Sequence, residues 1–359
     1  MNKTIVLTGG GTAGHVTPNL ALVPGLREMG FHIVYIGGKG GMEQRLAEDA
    51  GLPYYGISTG KLRRYMSLKN LTDPFRVIKG VGEAVSLMRK LKPAVVFSKG
   101  GFVIVPVVAA ARLCGIKSIL HESDMTPGLA NKLTIPFAHK VCSTFPETIA
   151  HLPAKKAVLT GAPIRGELFT GSKSNGRRFA GVTDDKPLLL VMGGSSGAAA
   201  INRALRAALP VLTKTYCVVH LCGRGHVDAA CTMPGYTQLE FVSKEMPDLL
   251  AAADIVISRA GANSLCELLA LHKPMLLIPL PLSQSRGDQI MNAESFRKQG
   301  FASVLNEEDM TADALVREAD TLFARRTQAT AAMQTASGQG GVSAVLAVIA
   351  ETTRLPQTR

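Results

Sequence analysis

The stretch IVLTGGGTAGHVTPNLAL at residues 5–22 recurs in outline about 180 residues later as LLLVMGGSSGAAAINRAL at 188–205. Each copy runs from an apolar strand-like segment through a glycine-rich turn into a helical segment. Further apolar runs are TIVLTG, HIVYIG, AVVFSK and KSILHE in the first half, and LLLVMGG, CVVHLC, DIVISRA and MLLIPLP in the second. Such runs suit strands buried on both faces of a parallel sheet. Helical stretches at 17–29, 40–50, 75–91 and 198–213 separate them. Strands alternating with helices predict a doubly wound α/β sheet. Two equivalent openings predict two Rossmann-like domains in tandem, and 359 residues exceed what one core holds. The polar, glycine-rich connection around 160–187 marks the join. The expected domains are 1–163 and 164–340, with a last helix in 341–359 packing back on the first.

Gly9, Gly11 and Gly14 also satisfy G-x-G-x-x-G, the dinucleotide fingerprint. That reading requires an acid at the end of the second strand, about 20 residues on, for the ribose hydroxyls. Here the strand HIVYIG ends in GGKGGME, where it meets glycines and Lys39. The first acid is Glu43, inside the next helix. The nicotinamide and flavin readings therefore fail. Three glycine-rich turns follow strands, at 9–14, 98–102 and 193–198. A turn of this kind opening a helix suits a phosphate, because the helix start presents N–H groups and a positive dipole end. The alternative is that the glycines serve only close strand–helix packing.

Composition narrows the partners. There is no Trp and aromatics are 5%, which argues against a nucleic-acid binder that stacks bases. The net charge is +13, and residues 61–92 carry nine basic residues against Asp73 and Glu83. A local basic excess implies an anionic partner, or else a solvated helix face. The six cysteines form no C-x-x-C pair, so reduced structural thiols are expected. No cluster of Asp or His has metal spacing. The longest apolar run, GGFVIVPVVAAARLCGI, holds a proline and is cut by Arg112, so no membrane-spanning helix is expected.

Eight segments taken together are highly specific: GGGTAGHVTPNLAL, KLRRYMSLKNLTDPFRVIKG, GGFVIVPVVAAA, HESDMTPGLANKL, TGAPIR, GGSSGA, AAADIVISRAGANSLCELLA and PLPLSQSRGDQIMNA. In this order they resemble the MurG-type glycosyltransferases of peptidoglycan synthesis, nearly end to end. The resemblance implies a GT-B fold, two Rossmann-like domains facing a deep cleft. It implies transfer of N-acetylglucosamine from UDP-N-acetylglucosamine to the 4-hydroxyl of undecaprenyl-pyrophosphoryl-N-acetylmuramoyl-pentapeptide (lipid I), giving lipid II. The chain departs from the usual family pattern at Ala13, Asp124, Ala162, Ser196 and Asn263–Ser264.

The residue roles follow. His15, just past the first turn, is a candidate base, since a near-neutral imidazole can take a hydroxyl proton. Glu122 is the rival base, because burial can raise a carboxylate pKa. His121 is expected to face the core or orient a neighbour. For the donor, the resemblance implies Thr12, Ala13, Gly14, Asp124, Arg165, Ser195, Val242, Ala262, Asn263, Ser264, Glu267 and Gln289. Among these, Glu267 would accept both ribose hydroxyls, Val242 would offer backbone to uracil, and Arg165 would neutralise pyrophosphate. Gly11, Gly14, Gly100, Gly101 and Asn131 would serve the acceptor and its pyrophosphate. No cofactor and no metal is implied, because GT-B enzymes stabilise leaving UDP with helix dipoles and basic side chains. The expected mechanism is a direct displacement that inverts the anomeric carbon.

The basic segment takes on meaning beside a polyprenyl acceptor. Arg63, Arg64, Lys69, Arg76 and Lys79 flank Leu68, Leu71, Phe75, Val77, Ile78 and Val81. That combination suits docking on the anionic cytoplasmic surface of the cell membrane. Partners implied are UDP-N-acetylglucosamine, lipid I, that surface and other cell-wall synthesis proteins. Three alternatives stand beside this reading: a GT-B transferase for another glycolipid, a UDP-N-acetylglucosamine 2-epimerase, and a non-catalytic nucleotide-sugar-binding protein.

Overall fold

The first sheet has seven strands: β1 (Thr4–Thr8), β2 (His32–Gly38), β3 (Tyr54–Ile57), β4 (Val95–Ser98), β5 (Lys117–Glu122), β6 (Lys140–Ser143) and β7 (Ala157–Leu159). They lie in the order β3-β2-β1-β4-β5-β6-β7, and every pairing is parallel. The second sheet holds β8 (Leu188–Met192), β9 (Cys217–Leu221), β10 (Tyr236–Leu239), β11 (Ile255–Ser258), β12 (Met275–Leu277) and β13 (Ala302–Val304). Its order, β10-β9-β8-β11-β12-β13, repeats the pattern of the first, again all parallel. Both match the doubly wound order 3-2-1-4-5-6, which reverses beside the first strand. The computed structural model describes residues 3–60, 69–194, 197–336 and 341–354, with backbone alone for 69–73.

The chain divides into two units, residues 1–165 with 339–359, and residues 166–338. The division falls after Arg165, close behind the Pro163–Ile164 join read from the sequence. In the first unit one face of the sheet packs Ile5, Leu7, Phe97 and Ile119 against Val16, Leu22 and Leu26. The helix Gly341–Thr353 joins that core through Val345, Val348 and Ile349. The other face packs Val6, Val96 and Leu120 against Ala84, Met88, Ile104, Val107 and Ala130. The expected helix 17–29 is two short helices, Thr17–Ala21 and Val23–Glu28. Pro18 and Pro24 each open one, where the missing N–H costs nothing. The expected helix 75–91 begins earlier, at Lys69, and the apolar run after Gly101 forms the helix Ile104–Leu113.

Candidate functional site

In open α/β sheets ligands bind beyond the carboxyl ends of the strands, where the strand order reverses. In the first unit that point lies between β1 and β4, so the turns after them, 9–14 and 99–102, meet there. The Gly10 N–H donates to the Gly100 carbonyl at 3.3 Å. Gly101 has φ +83, and a Cβ on it would stand 2.1 Å from the Gly10 oxygen. No other residue type fits that approach. Buried side chains fix the first turn from below. Tyr35 Oη donates to the Gly9 carbonyl at 2.8 Å, and Asn19 Nδ2 donates to the Thr8 carbonyl at 3.1 Å.

Glu43 is the unforeseen member of this turn. Its carboxylate is 3% exposed and accepts the Gly38 N–H at 2.9 Å and the Gly11 N–H at 3.3 Å. A Cβ on Gly10 would come within 2.5 Å of that carboxyl group. The chain's own carboxylate thus already holds the Gly11 N–H. The outward side of the turn belongs to Thr12, Ala13 and Gly14, which are exposed or half-buried.

His15 lies half-buried at the end of the same turn. Its Nδ1 is 3.1 Å from the Gly10 carbonyl and 3.2 Å from Thr12 Oγ1. A carbonyl only accepts, so Nδ1 carries the proton and Nε2 the lone pair. Burial lowers the imidazole pKa. The Gly10 hydrogen bond opposes this, Lys99 lowers it further and Glu43 raises it. The product is a neutral imidazole with a fixed tautomer, the form a general base requires.

Glu122 has different surroundings. It ends β5 and is 3% exposed. Oε1 accepts the N–H groups of Ser123 at 2.8 Å and Asp124 at 3.0 Å. Oε2 accepts the Gly128 N–H at 2.9 Å and Asn131 Nδ2 at 2.7 Å. Four donors occupy the carboxylate, which thereby ties together the loop 123–131. Asn131 is drawn into the same arrangement and buried, while its Oδ1 has no hydrogen-bond partner in the protein. Asp124 is half-buried, and its carbonyl accepts Thr148 Oγ1 at 3.0 Å. Arg165 is half-buried at the end of this unit's first segment, where the chain passes to the second unit.

His121 is fully buried and orients neighbours, as expected. Lys99 Nζ donates to its Nδ1 at 2.9 Å, and its Nε2–H donates to the Gly161 carbonyl at 2.9 Å. Burial pushes its pKa well below the ordinary value, and the Lys99 charge adds to this. Lys99 is 1% exposed and also donates to Ser123 Oγ. In SKGGF the glycines are legible from their spacing, whereas nothing in the sequence marks this lysine as buried.

The second unit has its reversal point between β8 and β11. The turn 193–198 follows β8; its Ser195 lies outside the described residues. After β11 comes the helix Ala262–Ala270, capped by Gly261, which has no side chain to accept its first N–H groups. Asn263, Ser264 and Glu267 are half-buried, while Ala262, Leu265, Cys266 and Leu268 are buried. The three polar residues fall at i, i+1 and i+4, so Glu267 lies one turn above the helix start on their side. Two buried side chains missed in the sequence hold this corner. Arg259 Nη1 donates to the carbonyls of Ile278 at 3.1 Å and Pro279 at 3.3 Å, and its Nη2 pairs with Glu307. Asn292 Nδ2 donates to the Ala260 carbonyl at 3.1 Å. Gln289 Oε1 accepts the Leu280 N–H at 3.1 Å, which orients the side-chain amide. The Val242 side chain is 5% exposed, which leaves its backbone as what it can offer.

Both units match one family's pattern. The glycosyltransferase family 28 N-terminal domain matches residues 5–143, and the corresponding C-terminal domain matches residues 188–347. The chain belongs to glycosyltransferase family 28. A relative from Lachnospira eligens is 55% identical over 353 residues, 98% of this chain and 100% of that protein. One from Geobacillus thermodenitrificans is 53% identical over 356 residues, 99% of this chain and 100% of its own. Each is named a UDP-N-acetylglucosamine–N-acetylmuramyl-(pentapeptide) pyrophosphoryl-undecaprenol N-acetylglucosamine transferase. The crystal structure of Acinetobacter baumannii MurG is similar with TM-score 0.76 and 28% identity, covering 98% of this chain and 100% of that one. The family and the fold class are those the sequence segments implied: a GT-B glycosyltransferase of two Rossmann-like parallel-sheet domains.

Proposed function

We propose that this chain transfers N-acetylglucosamine from UDP-N-acetylglucosamine to the 4-hydroxyl of lipid I, forming lipid II. Relatives more than half identical over nearly the whole chain carry that transferase's name. On the chemistry, one observation carries the reading: a neutral imidazole at the reversal point of the first sheet, its Nδ1–H tied to Gly10. His15 Nε2 takes the hydroxyl proton as the oxygen bonds to the anomeric carbon, and the bond to UDP breaks on the opposite face. The carbon is inverted and no covalent enzyme intermediate forms. Thr12, Ala13 and Gly14, with Gly100 and Gly101, face the reacting groups. In the second unit, the helix start at Ala262, Asn263 and Ser264, with Ser195, holds the pyrophosphate through N–H groups. Glu267 accepts the ribose hydroxyls, Val242 contacts uracil through its backbone, and Gln289 reaches the donor sugar. Arg165 neutralises leaving UDP.

The test incubates the purified chain with labelled UDP-N-acetylglucosamine and a short-chain lipid I analogue. The expected products are a lipid-linked disaccharide and UDP, with EDTA without effect. Epimerised UDP-sugar, transfer only to another glycolipid, or binding without turnover would each replace this reading with one of its alternatives.

We further infer that the first unit docks on the anionic cytoplasmic face of the cell membrane. No helix among the described residues is long and apolar enough to cross a membrane. Phe75 is 74% exposed and Ile78 68%, on one side of the helix Lys69–Leu91, beside exposed Arg76 and Lys79. That helix packs against Ile104–Leu113, where Leu113 is 72% exposed. Val77 and Val81 turn partly inward. Arg63, Arg64 and Leu68 lie outside the described residues, and the side chains of Lys69 and Leu71 are likewise undescribed. Apolar residues ringed by cations suit the headgroup boundary of an anionic bilayer. Phe75→Asp with Ile78→Asp is expected to lower the fraction sedimenting with anionic vesicles. Unchanged sedimentation would remove the docking surface.

A further inference from the structure

Lys99 and Glu43 are opposite charges, each almost wholly buried at the carboxyl edge of the first sheet. In the strand order, β1 stands between β2 and β4. Glu43 rises from the helix Met42–Asp49, which follows β2, while Lys99 directly follows β4. The turn that carries His15 follows β1 and so lies between them. Side chains alternate along a strand, so Lys99 shares a face with Phe97, the face packed against Val16 and Leu22. The two charges also have distinct attachments. Glu43 accepts N–H groups from Gly11 and Gly38, gripping the His15 turn itself. Lys99 donates to His121 and Ser123, gripping the end of β5. Between Lys99 and His15 stands one peptide: a Cβ on Gly100 would lie 3.2 Å from His15 Cδ2 and 3.4 Å from Nε2. The imidazole therefore packs directly on the residue that follows Lys99 in the chain.

We propose that Lys99 and Glu43 are positioning residues that set the charge state of His15, Lys99 keeping the imidazole neutral and Glu43 keeping it basic enough to take a proton. This rests on His15 as the base in the proposed function. A buried charge is weakly screened, so each acts on the ring more strongly than a surface charge would. The signs oppose. A cation disfavours the imidazolium and an anion favours it. Other titratable groups face the pair: Tyr35, which donates to Gly9 under the same turn, and Tyr54 beside Glu43 are held as phenols by burial, and His121, which accepts from Lys99, is held neutral by burial.

The experiment titrates His15 by NMR in the full chain labelled at the histidine rings, alongside the pH dependence of kcat/KM. Lys99→Met is expected to raise the His15 midpoint by about 1 pH unit. The acid limb of the rate profile should move up with it. Lys99→Arg keeps the charge and is expected to leave both in place. Glu43→Gln, nearly isosteric, is expected to move both down. A purely structural role for these residues would not give opposed shifts. If folded Lys99→Met leaves the His15 midpoint unmoved, the proposal falls. If that variant does not fold, an unmoved midpoint in Glu43→Gln overturns it equally. A His15 midpoint that moves while the acid limb stays supports the electrostatic pair and instead rejects His15 as the base.

Discussion

The turn after β1 closes on a carboxylate from its own chain, whereas the helix after β11 opens on a glycine. In the first unit Glu43, Tyr35, Asn19 and Lys99 fill the space beneath the turns, and the charges there are internal. In the second, Arg259 and Asn292 hold the corner from behind, and the helix start at Gly261 has no side-chain cap. The same strand order thus carries two kinds of site. In the proposed function the first fixes the protonation of the base His15. In the same proposal the second offers its helix N–H groups and Glu267 to the nucleotide diphosphate. The contrast also explains why the fingerprint at 9–14 misleads: the acid exists, but in the first turn of the helix after β2 and not at the strand end, and it turns back onto Gly11.

If the first site governs proton transfer, its variants should change kcat and pH dependence and leave donor affinity alone. The largest effect is expected from His15→Gln, a loss of kcat of ~100- to 10,000-fold with donor KM and melting temperature little changed. In the unmodified chain the pKa of His15 is lowered, so the base form persists below the ordinary imidazole value. Activity should therefore rise with pH and level off with its half-maximal point below about 6.5. Full activity in His15→Gln would break the comparison at its centre.

Glu122→Gln comes next. It places an amide donor against N–H groups that now point at a carboxylate, so a loss of about 2–3 kcal/mol of stability is expected by denaturant titration. Whatever activity remains should keep the same acid limb. A stable variant inactive at every pH would instead make Glu122 the base.

The fold was legible where residues are buried on both faces. Ile5, Val6, Leu7 and Leu188–Val191 are wholly buried, and their unbroken apolar runs marked the central strands. Five strands escaped, and β3, β7, β10 and β13 among them are the sheet edges. An edge strand needs less apolar sequence: YTQL and the half-buried AVL carry no continuous buried pattern. At the sites the glycines were legible because their spacing is local. Glu43 was seen but unread, since its partner Gly11 lies 32 residues away and only the fold brings them together. Lys99 and Arg259 were missed because burial of a charge leaves no mark in sequence. The hold of Glu122 on its loop was illegible for a related reason: its four donors come from a loop whose course only the fold sets.

The smallest effect belongs to the second site, and it tests the other half of the comparison. Glu267 lies three residues beyond Ser264, on the exposed side of a helix whose buried side is Leu265, Cys266 and Leu268. Glu267→Gln keeps the length and one acceptor oxygen but removes the charge. Hydrogen bonds from neutral hydroxyls to a carboxylate contribute about 1.5–3 kcal/mol, and part of that survives on an amide. A rise of about tenfold in donor KM is therefore expected, equivalent to about 1.4 kcal/mol. The acid limb of kcat/KM should stay where it is, because nothing near His15 has changed. UDP binding measured by calorimetry should weaken by the same factor, which separates lost ribose contacts from slower chemistry. If donor binding is unchanged while the acid limb moves, the division of labour between the two reversal points is wrong.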